Sequence, residues 1–177
     1  RMSNKDAVMM VGRLMELAAR TAPKAMGKDF IETVLLTDEQ RVALGEDMVS
    51  LGKERRSPGF ERDGQNVLDA DAVVLIGLLP HLGVGLDCGA CGMPGCAEFN
   101  TLSENKDFRG PNCALRLLDM GIALGSAAKV ASDHNVDNRI MYRIGVSATR
   151  LGMSQSNICH GIPLSATGKN IFFDRGR

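Results

Sequence analysis

Four cysteines in one short stretch have the residue type and spacing to hold an inorganic cofactor. Cys88, Cys91 and Cys96 lie in the run CGACGMPGC, and Cys113 follows in GPNCALR, which gives the spacing C-x2-C-x4-C-x16-C. In a cubic 4Fe–4S cluster, each of four cysteine thiolates binds one iron. The sequence therefore predicts that these four side chains are the metal ligands of a 4Fe–4S cluster.

The residues around these cysteines favour a loop that wraps an anionic centre. Gly89, Gly92 and Gly95 can adopt positive φ, which turns backbone N–H groups towards a negative charge. Pro111 precedes Cys113 and predicts a helix that begins at or just after the proline. The positive end of that helix dipole would then face the cluster.

Other interpretations of the cysteines remain open. Four cysteines can also bind zinc, although zinc sites usually pair two short knuckles and this sequence has a single C-x2-C. A 2Fe–2S centre is a further alternative, but its plant-type spacing places the longer gap first. Cys159, next to His160, could be a fifth ligand, a redox thiol or a nucleophile; we favour a packed core residue.

Several polar residues outside the cysteine set are candidates for contact with a substrate or cofactor. For His134 we favour a role at a helix end, and for His81 a surface position over a donor to cluster sulfur. Arg109 and Arg116 flank Cys113 and could tune the cluster charge or contact a partner, with solvated helix surface as the alternative. Residues 137–139 read as a helix start rather than as a ligand contact.

Composition limits the function classes. The chain has 177 residues, 21 basic and 21 acidic, so its charge gives no reason to expect binding to nucleic acid or to an acidic membrane. No apolar run is long enough to span a bilayer. Five cysteines, an odd and clustered set, favour metal over disulfides and indicate the cytoplasm. We expect one domain, 1–177, with the cluster-binding segment 86–115 embedded in it.

The hydrophobic pattern predicts an α+β fold, a helix-covered mixed sheet of three to five strands. Thr37 and Gln40 form a capping-box pattern at the start of the second helix. Ala72–Leu78 is a continuous apolar run and predicts a buried central strand. The remaining predicted elements are helices over 5–20, 38–53, 97–102, 111–132 and 138–151, a short helix within 58–69, and strands over 31–36 and 158–164.

The cysteine segment resembles the small 4Fe–4S domain of corrinoid iron–sulfur proteins and of membrane-linked ferredoxin-type subunits over about 26 residues. Along nearly its full length, the chain resembles a family of ferredoxin-domain proteins from anaerobes. The segments AARTAPKAMGKDFIE, LDCGACGMPGC, GPNCALRLLDMGIALGSAAKVASDHNVDNRIMY and GIPLSATGKNIFFDR carry this likeness. It implies a redox role, with electrons passed to a partner protein or a small-molecule substrate, and names no reaction.

A second, weaker resemblance is to flavin nitroreductases. AARTAPKAMGKDFIETVLLTDEQ is similar to their opening helix, turn, strand and helix, and LLDMGIALGSAAKVASDHN to their long central helix. The likeness implies a nitroreductase-like fold, a homodimer and an FMN cofactor. The Arg-x-Ser-x-Arg segment that holds the flavin phosphate in that family is not found, and Arg1 and Ser3 do not replace it. Two alternatives to electron transfer remain open. The first is a flavin-dependent oxidoreductase, and the second is a protein in which the cluster is structural or senses the redox state.

Overall fold

A four-stranded sheet lies between two layers of helices in the computed structural model, which describes residues 3–174. In chain order the elements are α1 (Asn4–Thr21), β1 (Ile31–Leu35), α2 (Asp38–Glu54), α3 (Pro58–Leu68), β2 (Ala72–Leu78), α4 (Cys96–Phe99), β3 (Glu104–Asn105), β4 (Arg109–Gly110), α5 (Ala114–Asp133), β5 (Asp137–Asn138), α6 (Tyr142–Arg150) and β6 (Ile158–Ser165). The sheet has the order β1-β2-β6-β5, and β3 and β4 form a separate ribbon. Within this part of the chain, no helix is long and apolar enough to cross a membrane.

The central position of β2 explains its unbroken apolar sequence. All seven of its residues are buried, because helices cover both faces of the sheet. Val74 and Ile76 point to the core shared with α1 and α5. Val73 and Leu75 point to the opposite core, which α2 and α6 cover. The alternation of strand side chains thus divides one hydrophobic run between two cores.

Local capping signals fix the starts of the first two long helices. Ser3 accepts the N–H of Asp6, and the Asp6 carboxylate accepts the N–H of Ser3 in return. Thr37 and Gln40 make the same reciprocal pair at the start of α2, as the sequence predicted. The helix predicted within 58–69 is α3, which has a proline in its first turn.

The α+β class is confirmed, with one difference in strand direction. A mixed sheet was expected, but the described strand pairs in the sheet are all antiparallel. The reason is the connection between β1 and β2, in which α2 and α3 form a helical hairpin. α2 leads away from the end of β1 and α3 leads back to it. The chain therefore enters β2 at the end of the sheet where β1 finishes, and β2 runs antiparallel to β1.

The prediction of a helix over 138–151 is wrong at the start of the helix. Asp137 and Asn138 form β5, which pairs with Ser165 and Leu164 of β6. The helix α6 begins only at Tyr142. The polar residues that resembled a helix cap instead extend the sheet, because β6 offers them an unpaired edge.

β6 continues through Pro163, although a proline has no N–H to donate to a neighbouring strand. Gly161 exchanges two backbone hydrogen bonds with Met141 on one side of the strand. Since bonding direction alternates along a strand, the nitrogen of Pro163 faces that same side. Among residues 3–174, this side is paired only with the two residues of β5 and, through a single bridge, with Met141. A proline without an N–H is tolerated there for the reason that it is tolerated on edge strands.

Candidate metal centre

The four clustered cysteines line one pocket. Cys88 and Cys91 lie in the loop that follows β2, Cys96 is the first residue of α4, and Cys113 immediately precedes α5. Among residues 3–174, no three His, Cys, Asp or Glu side chains form a ready ligand set for a single metal ion. The fold thus gathers the predicted ligands around a common space, and their coordination of a metal stays a prediction.

Two of the three loop glycines have the conformation that the sequence predicted. Gly89 and Gly92 have φ of 68° and 84°, and the N–H of Gly92 donates to the carbonyl of Gly89 at 2.9 Å. Gly95 differs, because its φ of −159° is ordinary extended backbone. The N–H of Cys96 donates to the Asp87 carboxylate at 2.7 Å. This amide is therefore used to fix the loop rather than being free to face an anion.

The helix after the cysteine loop begins three residues later than predicted. Pro111 was expected at its start, but α5 begins at Ala114 and Cys113 is its N-cap. The segment before it is a turn, in which the Asn112 side chain donates to the carbonyl of Arg109 at 2.8 Å. Ala114 and Leu115, whose N–H groups belong to the unpaired first turn, line the cysteine pocket. The positive end of α5 consequently lies at the pocket.

His81 is not the surface residue that we favoured from the sequence. Its Nδ1 lies 2.9 Å from the carbonyl of Leu79, and its Nε2 accepts the N–H of Cys113 at 3.0 Å. A carbonyl only accepts, so Nδ1 carries the proton and Nε2 is the acceptor. The ring lies between Phe30 and Phe99. Burial lowers the pKa of His81, which favours the neutral ring that this bonding requires.

The two arginines beside Cys113 have different environments. Arg109 is exposed, but it lies in β4 rather than on a helix, and its backbone N–H donates to the carbonyl of Asn157. For Arg116 the alternative of solvated helix surface is wrong, because only 2% of the residue is exposed. Its Nη1 donates to the carbonyls of Ala25 and Lys28 and to the Asp119 carboxylate. Arg116 therefore ties the start of α5 to the turn that precedes β1.

The remaining candidates take structural positions. Cys159 is fully buried in the core covered by α2 and α6, which confirms the packed-core interpretation. His160 is half-buried near Phe108. His134 is the exposed C-cap residue of α5, as predicted. The prediction for residues 137–139 as a helix start is wrong, since Asp137 and Asn138 belong to β5.

Cys159 should make the fold less stable in alkaline solution. Burial raises the pKa of its thiol from an ordinary 9.0 to about 12. The folded thiol stays protonated between these values while the unfolded one ionises, so stability present below pH 9 is lost as pH rises towards 12. In this range the free energy of unfolding of the wild-type protein should fall by about 1.4 kcal/mol per pH unit because of this thiol, and Cys159→Ala should remove that fall. Urea unfolding of both proteins at pH 8 and 10 measures the two free energies. An equal fall in both proteins would contradict the raised pKa of Cys159.

Nitroreductases share this fold. A nitroreductase from Desulfitobacterium hafniense with bound FMN matches with a TM-score of 0.57 at 11% identity, over 96% of this chain and 92% of that chain. A nitroreductase-like protein from Bacillus cereus matches with a TM-score of 0.59 at 11% identity, over 95% and 78%. Nitroreductase CinD from Lactococcus lactis, in complex with 4-nitrophenol, also gives 0.59 at 11% identity, over 96% and 81%. At such low identity these matches define the fold alone.

Sequence comparison gives the family. Residues 109–175 match the model described as "Uncharacterized protein containing a ferredoxin domain (DUF2148)". An uncharacterized protein of Archaeoglobus fulgidus is 42% identical over 171 residues, which cover 96% of this chain and 92% of that protein. The chain belongs to this family of ferredoxin-domain proteins, and its fold is the α+β fold of the nitroreductases.

Proposed function

We propose that the chain is an electron-transfer protein in which Cys88, Cys91, Cys96 and Cys113 hold a 4Fe–4S cluster. The observation that carries the proposal is that all four cysteines line one pocket although Cys113 comes from a separate segment. The family description as ferredoxin-domain proteins supports it. Four thiols are also the donor set that such a cluster takes.

Apart from Asp87, whose carboxylate accepts the N–H of Cys96, the residues around the pocket suit an anionic group. When bound, a 4Fe–4S cluster accepts and returns one electron at a time. Gly89 and Gly92 have positive φ, and the cysteines that precede them, Cys88 and Cys91, both line the pocket. The start of α5 provides positive potential, and neutral His81 fixes the backbone of Cys113 without adding charge.

Reductive titration of the protein, purified without oxygen, tests this function. Dithionite should bleach the visible absorption with an uptake of one electron per chain, and a stoichiometric amount of a higher-potential oxidant such as ferricyanide should restore it. A paramagnetic signal that appears only in the reduced sample would identify the cluster. Protein that is colourless, or that takes up no electrons reversibly, would contradict the proposal.

A flavin-dependent oxidoreductase is the second candidate, because nitroreductases of this fold include one with bound FMN. Denaturing the purified protein and measuring flavin fluorescence in the supernatant decides it. About one flavin per chain would favour this candidate, whereas iron without flavin would favour electron transfer. A structural or redox-sensing cluster is the third candidate. Cys96→Ser, compared with the electron uptake of the wild-type protein, separates a structural cluster from electron transfer.

We further propose a cytoplasmic homodimer that exchanges electrons with a redox partner protein or a small molecule in an anaerobe. The outer faces of α1 and α5 expose large apolar side chains, among them Leu17 and Leu118. Pairing two copies would cover these side chains. Sedimentation should give about twice the 19.0 kDa chain mass, and the mass of a single chain would contradict the dimer.

A further inference from the structure

A second cavity lies beside the cysteine pocket and has the size of a small-molecule site. Its volume is about 550 Å³, within the range of about 300–1,000 Å³ typical of ligand pockets. The turn before β1, the segment after β2 and Arg116 of α5 enclose it. Its lining residues are Met26, Lys28, Phe30, Pro80, His81, Leu82, Gly83, Val84 and Arg116.

The lining combines apolar walls with positive charge. Lys28 and Arg116 are cationic, and no lining residue is acidic. Asp119 pairs with Arg116 at 3.0 Å, but within residues 3–174 no carboxylate pairs with the Lys28 ammonium. Among residues 3–174, no group forms a hydrogen bond with the buried Nε of Arg116. Lys28 is exposed, so a ligand with a single negative charge would gain chiefly by accepting this buried N–H and would also lie near the Lys28 ammonium.

The shape of the walls favours a flat, apolar body over a strongly hydrated one. Phe30 and His81 present aromatic rings at 6.2 Å between centroids, and Arg116 lies 4.8 Å above the Phe30 ring. Leu82 and Met26 are exposed apolar side chains at the cavity. Burying them against a planar aromatic ring would be favourable, whereas phosphate would lose hydration against apolar walls.

Only a thin layer of backbone separates this cavity from the cysteines. Gly83 and Val84 line both spaces. A Cβ atom at Gly83 would lie 3.0 Å from the Cys96 Sγ, so the absence of a side chain allows this close approach. His81 lines the cavity while its Nε2 accepts the N–H of Cys113. A molecule bound here would be a near neighbour of two of the four cysteines.

We propose that this cavity binds a planar, largely apolar organic monoanion, of the class of aromatic monocarboxylates. The carboxylate lies towards Lys28 and Arg116, and the ring packs against Phe30 and Leu82. Binding rests on the cavity alone. The 4Fe–4S cluster of the proposed function is a separate claim, on which this binding does not depend.

Methyl NMR tests the binding. The full chain is purified without oxygen, labelled at its methionine methyl groups, and titrated with 2-naphthoate or with the uncharged 2-naphthamide. Met26 lines the cavity and is one of ten methionines, and Met26→Leu assigns its signal. Naphthoate should shift this signal. Lys28→Glu should weaken naphthoate binding by at least about tenfold and leave naphthamide unchanged. Lys53→Glu, an equal charge change at an exposed lysine that does not line the cavity, should stay within about twofold.

Three results would overturn the proposal: no shift at Met26 with millimolar naphthoate, equal loss of affinity in both lysine variants, or equal binding of the amide and the acid. The iron content of the same samples keeps the two claims separate. Protein without iron that still binds naphthoate contradicts only the cluster. Protein with four irons that does not bind it contradicts only the cavity ligand.

Discussion

Replacing Cys96 by serine should leave a protein that cannot retain four irons, and the same should hold for Cys88, Cys91 and Cys113. A serine hydroxyl is a much weaker ligand for iron than a thiolate, so each change removes one corner of the site. We expect wild-type protein to contain about four irons and four sulfides per chain. Iron and sulfide analysis of protein prepared without oxygen measures the loss.

Cys159→Ser is the matched control, because it makes the same chemical change at the one other cysteine of the chain. Cys159 belongs to β6 and is buried in the core that α2 and α6 cover, and it does not line the pocket that the other four share. Its variant should keep the full iron content although it loses some stability. Equal iron loss in the control would contradict the assignment of the ligands. If Cys96→Ser unfolds and the wild-type cluster takes up no electrons, the cluster is structural instead.

Gly145→Ala should destabilise the fold by at least about 3 kcal/mol. Gly145 lies in α6 where this helix packs directly on β6. A Cβ atom there would be 1.7 Å from the carbonyl oxygen of Cys159, and this oxygen belongs to the backbone of a central strand. Neither side can yield without separating α6 from the sheet. Urea unfolding monitored by circular dichroism measures the change.

Gly121→Ala is the control for the helix itself. Gly121 lies in the middle of α5, and no atom of the described part of the chain approaches its missing Cβ within 4 Å. Alanine is the better helix former, so this variant should gain about 0.5–1 kcal/mol. If both substitutions changed the free energy of unfolding only slightly, α6 would not pack on β6 as closely as the structure shows.

Elements set by local chemistry were predictable from the sequence. The capping pair Thr37 and Gln40 fixes the start of α2 because both partners lie within four residues of each other. The run 72–78 was best interpreted as a strand covered on both faces, since it has no polar side to expose, and the structure confirms this. The spacing of the cysteines likewise pointed to one shared site, and the structure lines one pocket with all four.

Features that depend on distant partners were not predictable. Asp137 and Asn138 look like a helix cap, but their pairing with β6, about 27 residues later, decides their structure. Arg116 looks like a surface residue on a helix, yet its hydrogen bonds run to Ala25 and Lys28, some 90 positions earlier. A one-dimensional pattern contains no information on such contacts.

His81 is the most consequential residue that sequence reasoning placed wrongly. Its position directly after Pro80, where the chain leaves β2 for the cysteine loop, indicated that it lies near the cysteines. The sequence does not show, however, whether the His81 side chain points towards solvent or towards the start of α5. The contact with Cys113 arises because α5 returns to the same end of the sheet.

Iron anomalous scattering from crystals grown without oxygen tests the central claim most directly. We predict one compact group of four irons in the cysteine pocket, each beside one sulfur of Cys88, Cys91, Cys96 and Cys113. A single zinc ion in that pocket, no metal at all, or an iron group that leaves Cys113 uncoordinated would contradict the account.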